Sequence, residues 1–307
     1  MSIEVIFSGL QTTIQDLGRK GWKHMGVPES GAADKFSLKL ANFLLNKKLN
    51  SSVLESSLNG PILKFLKPMN FVVTGADMQP KINKTALKMN SPSKAQINDV
   101  LSLSHSSAGC RSYIAFSEDL ISESFLESTS TYLPAKLGGV EGLPLQTGAI
   151  IETKSCELNI QNSQKIDLNL ISPFTNKWIL RVMEGPEFYS LRSESRANIF
   201  ASSYTVSNDS SRMGNRLDGT RMELFDSKHM VTAPVHLGTI QCPQNGLPII
   251  LGCDSQTLGG YPRILQIAEV DFPMIGQLRP RDKVSFVRVS IEEARDKLKQ
   301  LELIHPF

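Results

Sequence analysis

Short apolar runs punctuated by glycine, proline, asparagine and serine set the rhythm of the chain. IEVIF from Ile3, NFVVT from Asn70, SYIAF from Ser112, WILRVM from Trp178, LPIIL from Leu247 and KVSFVRV from Lys283 are rich in β-branched and aromatic residues, and their length and flanks predict strands. Their spacing is irregular and filled by loops, against both a simple meander and the strand–helix alternation of a parallel α/β sheet. Helical spacing is clear in two places. Between Ala32 and Asn46 it groups Phe36, Leu40, Phe43 and Leu44, with Ser30 available as a cap. After Ser290, whose partner Glu293 completes a capping box, Ile291, Ala294, Leu298 and Leu301 form one apolar stripe. Both helices are expected to pack on β structure, so the pattern predicts a mostly-β chain with few helices.

A length of 307 residues exceeds one ordinary core, so two domains are expected. The polar stretch between Lys154 and Lys177, followed by a fresh strand at Trp178, places them at 1–172 and 173–307.

Charge and composition remove several functional classes. The 33 basic and 30 acidic residues are dispersed without basic runs, so nucleic acid is not an expected partner. No apolar run approaches the roughly 18 residues of a membrane span, and the first residues lack the basic and apolar regions of an export signal. Cys110, Cys156, Cys242 and Cys253 are widely spaced, as expected for reduced thiols in the cytoplasm. There is no phosphate loop G-x-x-x-x-G-K-[ST], no G-x-G-x-x-G, no H-E-x-x-H and no G-x-S-x-G. The five histidines are scattered, so no metal site is expected.

Three clusters concentrate glycine and proline with polar side chains: TTIQDLGRKGWKHMGVPESGAAD from Thr12, SSRMGNRLDG from Ser210, and IQCPQNGLPIILGCDSQTLGGYP from Ile240. They read as site-forming loops. Arg19, Arg212 and Arg216 offer forks for a carboxylate or phosphate, whereas Gln15, Gln241 and Gln256 can pair with both sides of an amide. Asp16, Asp34 and Asp254 can orient those arginines or move protons; equally, the aspartates can cap turns and the arginines close structural ion pairs. Ser30 and Thr257 add hydroxyls. Gly259, Gly260 and Tyr261 suit a close backbone approach to a ligand with a ring as its wall, or a tight turn.

Together with LE at Leu54, TGAD at Thr74 and QLRP at Gln277, these ordered motifs closely resemble the allophanate hydrolase subunit 2 family from about Gln11 to Phe286. That family includes a subunit of bacterial 5-oxoprolinase, the antagonist of a sporulation-kinase inhibitor, and the carboxyltransferase region of urea carboxylase. The resemblance implies two cyclophilin-like β-barrel domains. It also implies a companion resembling allophanate hydrolase subunit 1 and, for 5-oxoprolinase, a third subunit of the lactam-utilisation type. The sequence departs from the family pattern at Ser117 and Glu118, at Glu127 to Thr131, and at Leu143, where an arginine is usual. Either the substrate differs there or the loop belongs to a partner contact.

The resulting expectation is a subunit of an ATP-dependent complex opening the lactam 5-oxoproline to glutamate, with ATP bound by another subunit. In that reading Arg212 and Arg216 hold anionic groups, Gln241 or Gln256 holds the amide, and Asp254 orients or accepts a proton. Carboxyl transfer to a urea-like amide, with biotin arriving on a partner, and a non-catalytic regulatory role toward a companion subunit are the alternatives.

Overall fold

The computed structural model describes residues 1–156, 167, 171, 173–225 and 230–305. The chain is mostly β and divides into two compact units, one built from Met1–Arg19 with Ser30–Phe174, the other from Lys20–Glu29 with Thr175–His305. The polar stretch in which the domain boundary is expected falls largely outside the described residues.

The first unit contains a six-stranded and a five-stranded antiparallel sheet. In the six-stranded sheet, Ile3–Phe7 lies between Ile150–Ile151 and Ile62–Phe65. The other runs Thr12–Gln15, Val53–Ser57, Arg111–Phe116, Met69–Gly75, Ser93–Ala95. Ile3, Val5, Leu63 and Phe65 from one sheet pack with Ile14, Leu54, Phe71 and Phe116 from the other. Phe65 meets Phe71 and Phe116 at ring separations of 5.2 and 6.2 Å. Helix α1 (Lys35–Leu44) contributes Leu38 and Ala41 to a second cluster with Val53, Val72, Tyr113 and Ala115. The five-stranded sheet is therefore covered on both faces, which is why every residue of Arg111–Phe116 is buried and no alternation marks it.

Helix α1 is shorter than its apolar spacing predicts and begins later. Ser30 and Gly31 have φ of 56° and 83°, outside the helical region, and Asp34 is the actual cap, accepting from Ser37 N at 2.9 Å.

The second unit is a closed seven-stranded barrel in the order Lys177–Glu184, Arg263–Ile267, Thr239–Gln241, Ile249–Leu251, Gly214–Asp218, Tyr204–Val206, Lys283–Arg288. The last strand returns to the first in parallel, Trp178 opposite Val284 and Leu180 opposite Phe286. Trp178, Leu180 and Val182 point inward while Lys177 and Ile179 are exposed. The run from Leu247 forms a strand only over Ile249–Leu251. Helices α2 (Ser193–Ala201) and α3 (Phe272–Gln277) were not evident in the apolar pattern. Helix α4 (Ile291–Ile304) has the expected capping box but no buried residue; Ala294, Leu298 and Leu301 are half-buried. No described helix is long and apolar enough to cross a membrane.

Candidate functional site

The polar clusters do not remain loops throughout. The first contributes the strand Thr12–Gln15, the second Gly214–Asp218, and the third Thr239–Gln241, Ile249–Leu251 and Leu258–Gly259. Glycine marks tight strand contacts here as well as turns.

In the first unit, Gln15, Asp16 and Arg19 converge on residues 125–131, the same segment where the sequence departs from the family pattern. Gln15 Nε2 donates to Thr13 Oγ1 at 3.0 Å and to the Thr131 carbonyl at 3.1 Å. Asp16 accepts from Gly18 N (2.7 Å), Ser128 Oγ (2.7 Å), Thr129 N (2.8 Å) and Thr129 Oγ1 (3.2 Å), and from the Ser130 hydroxyl. Arg19 donates to the carbonyls of Ser130 at 2.5 Å and Phe125 at 3.4 Å. All three side chains are buried and gather this segment.

What they gather is a strained hairpin. Phe125 and Ser128 exchange backbone bonds of 2.8 and 3.3 Å across Leu126 and Glu127, whose φ angles are 50° and 64°. Both central residues thus sit where Asn-Gly is favoured and where an ordinary residue loses about 1–2 kcal/mol. The double substitution Leu126→Asn with Glu127→Gly is expected to stabilise the first unit by about 1–2 kcal/mol in urea melts; an unchanged midpoint would show that the turn carries no such strain.

Ser30 and Asp34 are also buried. A Cβ on Gly31 would lie 2.7 Å from Gly18 N, so only glycine allows the two backbones to pass. Ala32 N donates to Asp16 O at 2.9 Å, Ala33 N to Glu55 Oε2 at 2.8 Å, and Asp34 N to the Tyr113 hydroxyl at 2.8 Å. That hydroxyl donates in turn to Glu55 Oε2 at 2.9 Å, and Arg111 Nε lies 3.5 Å from Glu55 Oε1. Burial, reinforced by the Glu55 and Asp34 carboxylates, raises the Tyr113 phenol well above its ordinary range, so it stays a donor. Thr74 Oγ1 bonds the Ser37 carbonyl at 2.7 Å. The LE, TGAD and GAAD motifs thus meet in one network. Glu55, Tyr113 and Arg111 were missed as polar members of this region; the signal available was a carboxylate inside an apolar strand.

In the second unit, Arg212 and Asp254 form a buried bidentate pair, Nε to Oδ2 at 2.7 Å and Nη2 to Oδ1 at 3.0 Å. Their backbones are joined too, Asp254 N to Arg212 O at 3.1 Å, and a Cβ on Gly252 would collide with that carbonyl. Arg216 stands exposed on Gly214–Asp218 between buried Asn215 and Leu217.

The accessible members follow Asp254. Gln256, Gly260 and Tyr261 are exposed and Thr257 half-exposed. Buried Gln241 supports them: its Nε2 donates to Tyr261 O at 3.2 Å and its Oε1 accepts from Gln256 Nε2 at 3.4 Å. A Cβ on Gly259 would lie 2.6 Å from Gln241 Nε2, so a side chain there would displace that amide; around Gly260 the nearest atoms are 3.9 Å away. Leu258–Gly259 pairs with Ala233–Pro234 as a two-stranded flap.

An exposed carboxamide can pair with a small planar N–C=O unit. Thiolate chemistry is disfavoured at two of the four cysteines: burial pushes the Cys242 thiol up to about 11 and raises that of Cys156. His236 is held below its ordinary range by burial, then by Lys23 and Arg263. Among the described residues no three acidic, histidine or cysteine side chains are grouped for a metal ion.

The family profile of the carboxyltransferase domain, subdomain A and B, matches residues 25–288. The chain belongs to this family. A 5-oxoprolinase subunit of Haemophilus influenzae is 30% identical over 292 residues, covering 95% of this chain and 93% of that protein. Among solved structures, the urea amidolyase of Kluyveromyces lactis matches with a TM-score of 0.93 and 28% identity over 99% of this chain and 20% of its own. The urea carboxylase of the same yeast gives 0.91 and 28% over 99% and 29%. The chain therefore spans less than a third of either yeast protein. Residues 25–288 of the carboxyltransferase match include the Arg212–Asp254 pair and the Gln241–Gln256 rim, whereas Gln15, Asp16 and Arg19 precede it.

Proposed function

We propose that this carboxyltransferase-family chain is a subunit of a complex that opens 5-oxoproline to glutamate at the expense of ATP. The observation that carries the reading is its match to 93% of the length of the Haemophilus 5-oxoprolinase subunit, a chain of similar extent named as one part of an enzyme. The companions would be a protein resembling allophanate hydrolase subunit 1 and a lactam-utilisation-type protein. The lactam N–C=O would lie against Gln256 and Tyr261, with Gln241 fixing both from behind. Arg212 and Asp254 are then positioning residues that hold the turn leading into Gln256, rather than groups that meet substrate.

ATP supplies the coupling that lactam opening requires, and three arginines in or next to the polar clusters are already engaged within the chain. Arg19 is bound to the chain's own carbonyls, Arg212 to Asp254 and Arg263 to Glu187. We therefore assign the nucleotide to another subunit and derive no phosphoryl step here.

A second reading is supported by the TM-score of 0.93 to a urea amidolyase: carboxyl transfer to a urea-like amide. Biotin carried by a partner would supply the carboxyl group, and its ureido unit has the same planar N–C=O that the exposed Gln256 carboxamide can pair with.

The test is glutamate formation from 5-oxoproline and ATP by the chain co-expressed with its companions, each omitted in turn. Loss of glutamate without this chain is expected. Gln256→Ala should raise KM about tenfold, some 1.4 kcal/mol of binding, at unchanged melting temperature. An assembled complex that makes no glutamate but carboxylates urea with bicarbonate and a biotinylated partner would establish the second reading instead.

A further inference from the structure

Nearly all the accessible residues of the rim lie on, or next to, the flap formed by Ala233–Pro234 and Leu258–Gly259. A two-stranded ribbon with two residues on each side has little stability of its own. Leu258 is 54% exposed, whereas Val235, which follows Pro234, is 2% exposed and anchors that end of the flap.

One guanidinium ties the flap down. Arg263 Nη1 donates to the Pro234 carbonyl at 2.9 Å, inside the flap. The remaining faces of Arg263 are fixed by Glu187: Nε to Oε2 at 2.8 Å, Nη2 to Oε1 at 2.7 Å, and the Arg263 backbone N to Oε2 at 2.9 Å. Glu187 N returns a bond of 3.2 Å to Arg263 O, and a Cβ on Gly185 would collide with that same oxygen. The segment before Glu187 is thus pressed onto the strand that begins at Arg263. Two residues earlier lies Tyr261, whose carbonyl receives Gln241, and the Gln241 backbone is in register with Arg263.

We propose that Glu187 and Arg263 form a positioning pair for the substrate rim, setting the flap at the height at which Gln256 and Tyr261 face the amide, with Gln241 holding both from behind. This rests on the reading that the rim takes a lactam or urea-like amide. The pair is only about one-fifth exposed on each side, and its bidentate geometry holds the guanidinium in one orientation, which aims the remaining Nη1 at the flap. The Arg263 hydrogen bonds hold the Glu187 carboxyl below the usual carboxylate range, so the clamp is closed at neutral pH.

Two readouts separate this role from a merely structural one. In the assembled complex, Arg263→Ala and Glu187→Ala are each expected to raise KM for the turned-over amide about tenfold with kcat within about twofold. The double variant should be no worse than either single one, because the residues act as a unit. Glu187→Gln, which keeps one acceptor, should recover part of the loss. In the full-length chain alone, Arg263→Ala should speed hydrogen exchange at the Val235 amide, which is bonded to Thr257 O at 3.0 Å, while amides inside the barrel keep their protection. Unchanged KM in folded variants, or unchanged exchange at Val235, overturns the proposal. If the wild-type complex turns over neither 5-oxoproline nor urea, the functional reading falls, and the exchange experiment still decides whether Arg263 holds the flap.

Discussion

Arg212→Ala is expected to destabilise the second unit by about 3–5 kcal/mol, because it leaves the Asp254 carboxylate buried without its guanidinium. Asp254 is 2% exposed and receives two bonds from that guanidinium at 2.7 and 3.0 Å. Against a typical total of about 5–15 kcal/mol, such a loss lowers yield and melting temperature before it affects any substrate contact. Loss of activity in this variant would therefore say little about chemistry. The informative comparison is a double-mutant cycle by urea melts of Arg212→Met, Asp254→Leu and their combination. Each single change should be severe and the pair much milder, since exchanging a whole buried ion pair for apolar groups is often nearly neutral. A fully folded Arg212→Ala within about 1 kcal/mol of wild type would refute the buried-pair account.

Glu55→Ala should be comparably damaging to the first unit. It strips the acceptor from the Ala33 amide and the Tyr113 hydroxyl and removes the charge beside Arg111. At about 1–3 kcal/mol for each buried polar group left unsatisfied, a loss of about 3–5 kcal/mol is expected. Glu55→Gln, which keeps a carbonyl acceptor, should lose less than half of that. The same network gives a pH signature. Tyr113 keeps its proton in the folded protein far above the point at which the unfolded chain releases it. The stabilisation is therefore fully present below a pH of about 10 and declines as pH rises beyond it. Tyr113→Phe should flatten that alkaline decline; an identical alkaline profile in wild type and Tyr113→Phe would count against the shift.

How far these features were legible in the sequence follows from burial. Lys177–Glu184 alternates in burial from Lys177 to Val182 because one face lines the barrel interior, although exposed Ile179 blurs that alternation in the sequence. Thr12–Gln15 and Arg111–Phe116 do not alternate because both faces are covered; the second is recognisable by its β-branched and aromatic content, whereas the first reads as part of a loop. Closure of the barrel was not legible, since it depends on a parallel pairing of Trp178 with Val284 that no local pattern encodes. Helix α1 starts late because its expected cap, Ser30, is held in a left-handed turn by tertiary contacts. The three clusters did mark chemistry-rich ground, but residue type alone could not distinguish an arginine awaiting an anion from one already paired. Arg212 finds Asp254 42 positions away, whereas Gln256 and Tyr261 stay accessible in the same cluster. The Glu187–Arg263 clamp was missed because Glu187 belongs to none of the motifs and acquires meaning only through its partner.

The segment Lys20–Glu29 belongs to the second unit although the first unit surrounds it in sequence. This makes the gene harder to cut than its length implies. An expression fragment starting near residue 173 would carry every barrel strand and still lack a piece of its own unit, while the complementary fragment would carry a stray loop with nowhere to pack. During synthesis that loop leaves the ribosome well before the barrel exists, so it must wait, exposed, for most of the chain to follow. Swapping the C-terminal half between relatives would likewise separate a barrel from the loop it evolved with, so a functional chimera has to carry two crossover points around Lys20–Glu29 as well as the one in the middle.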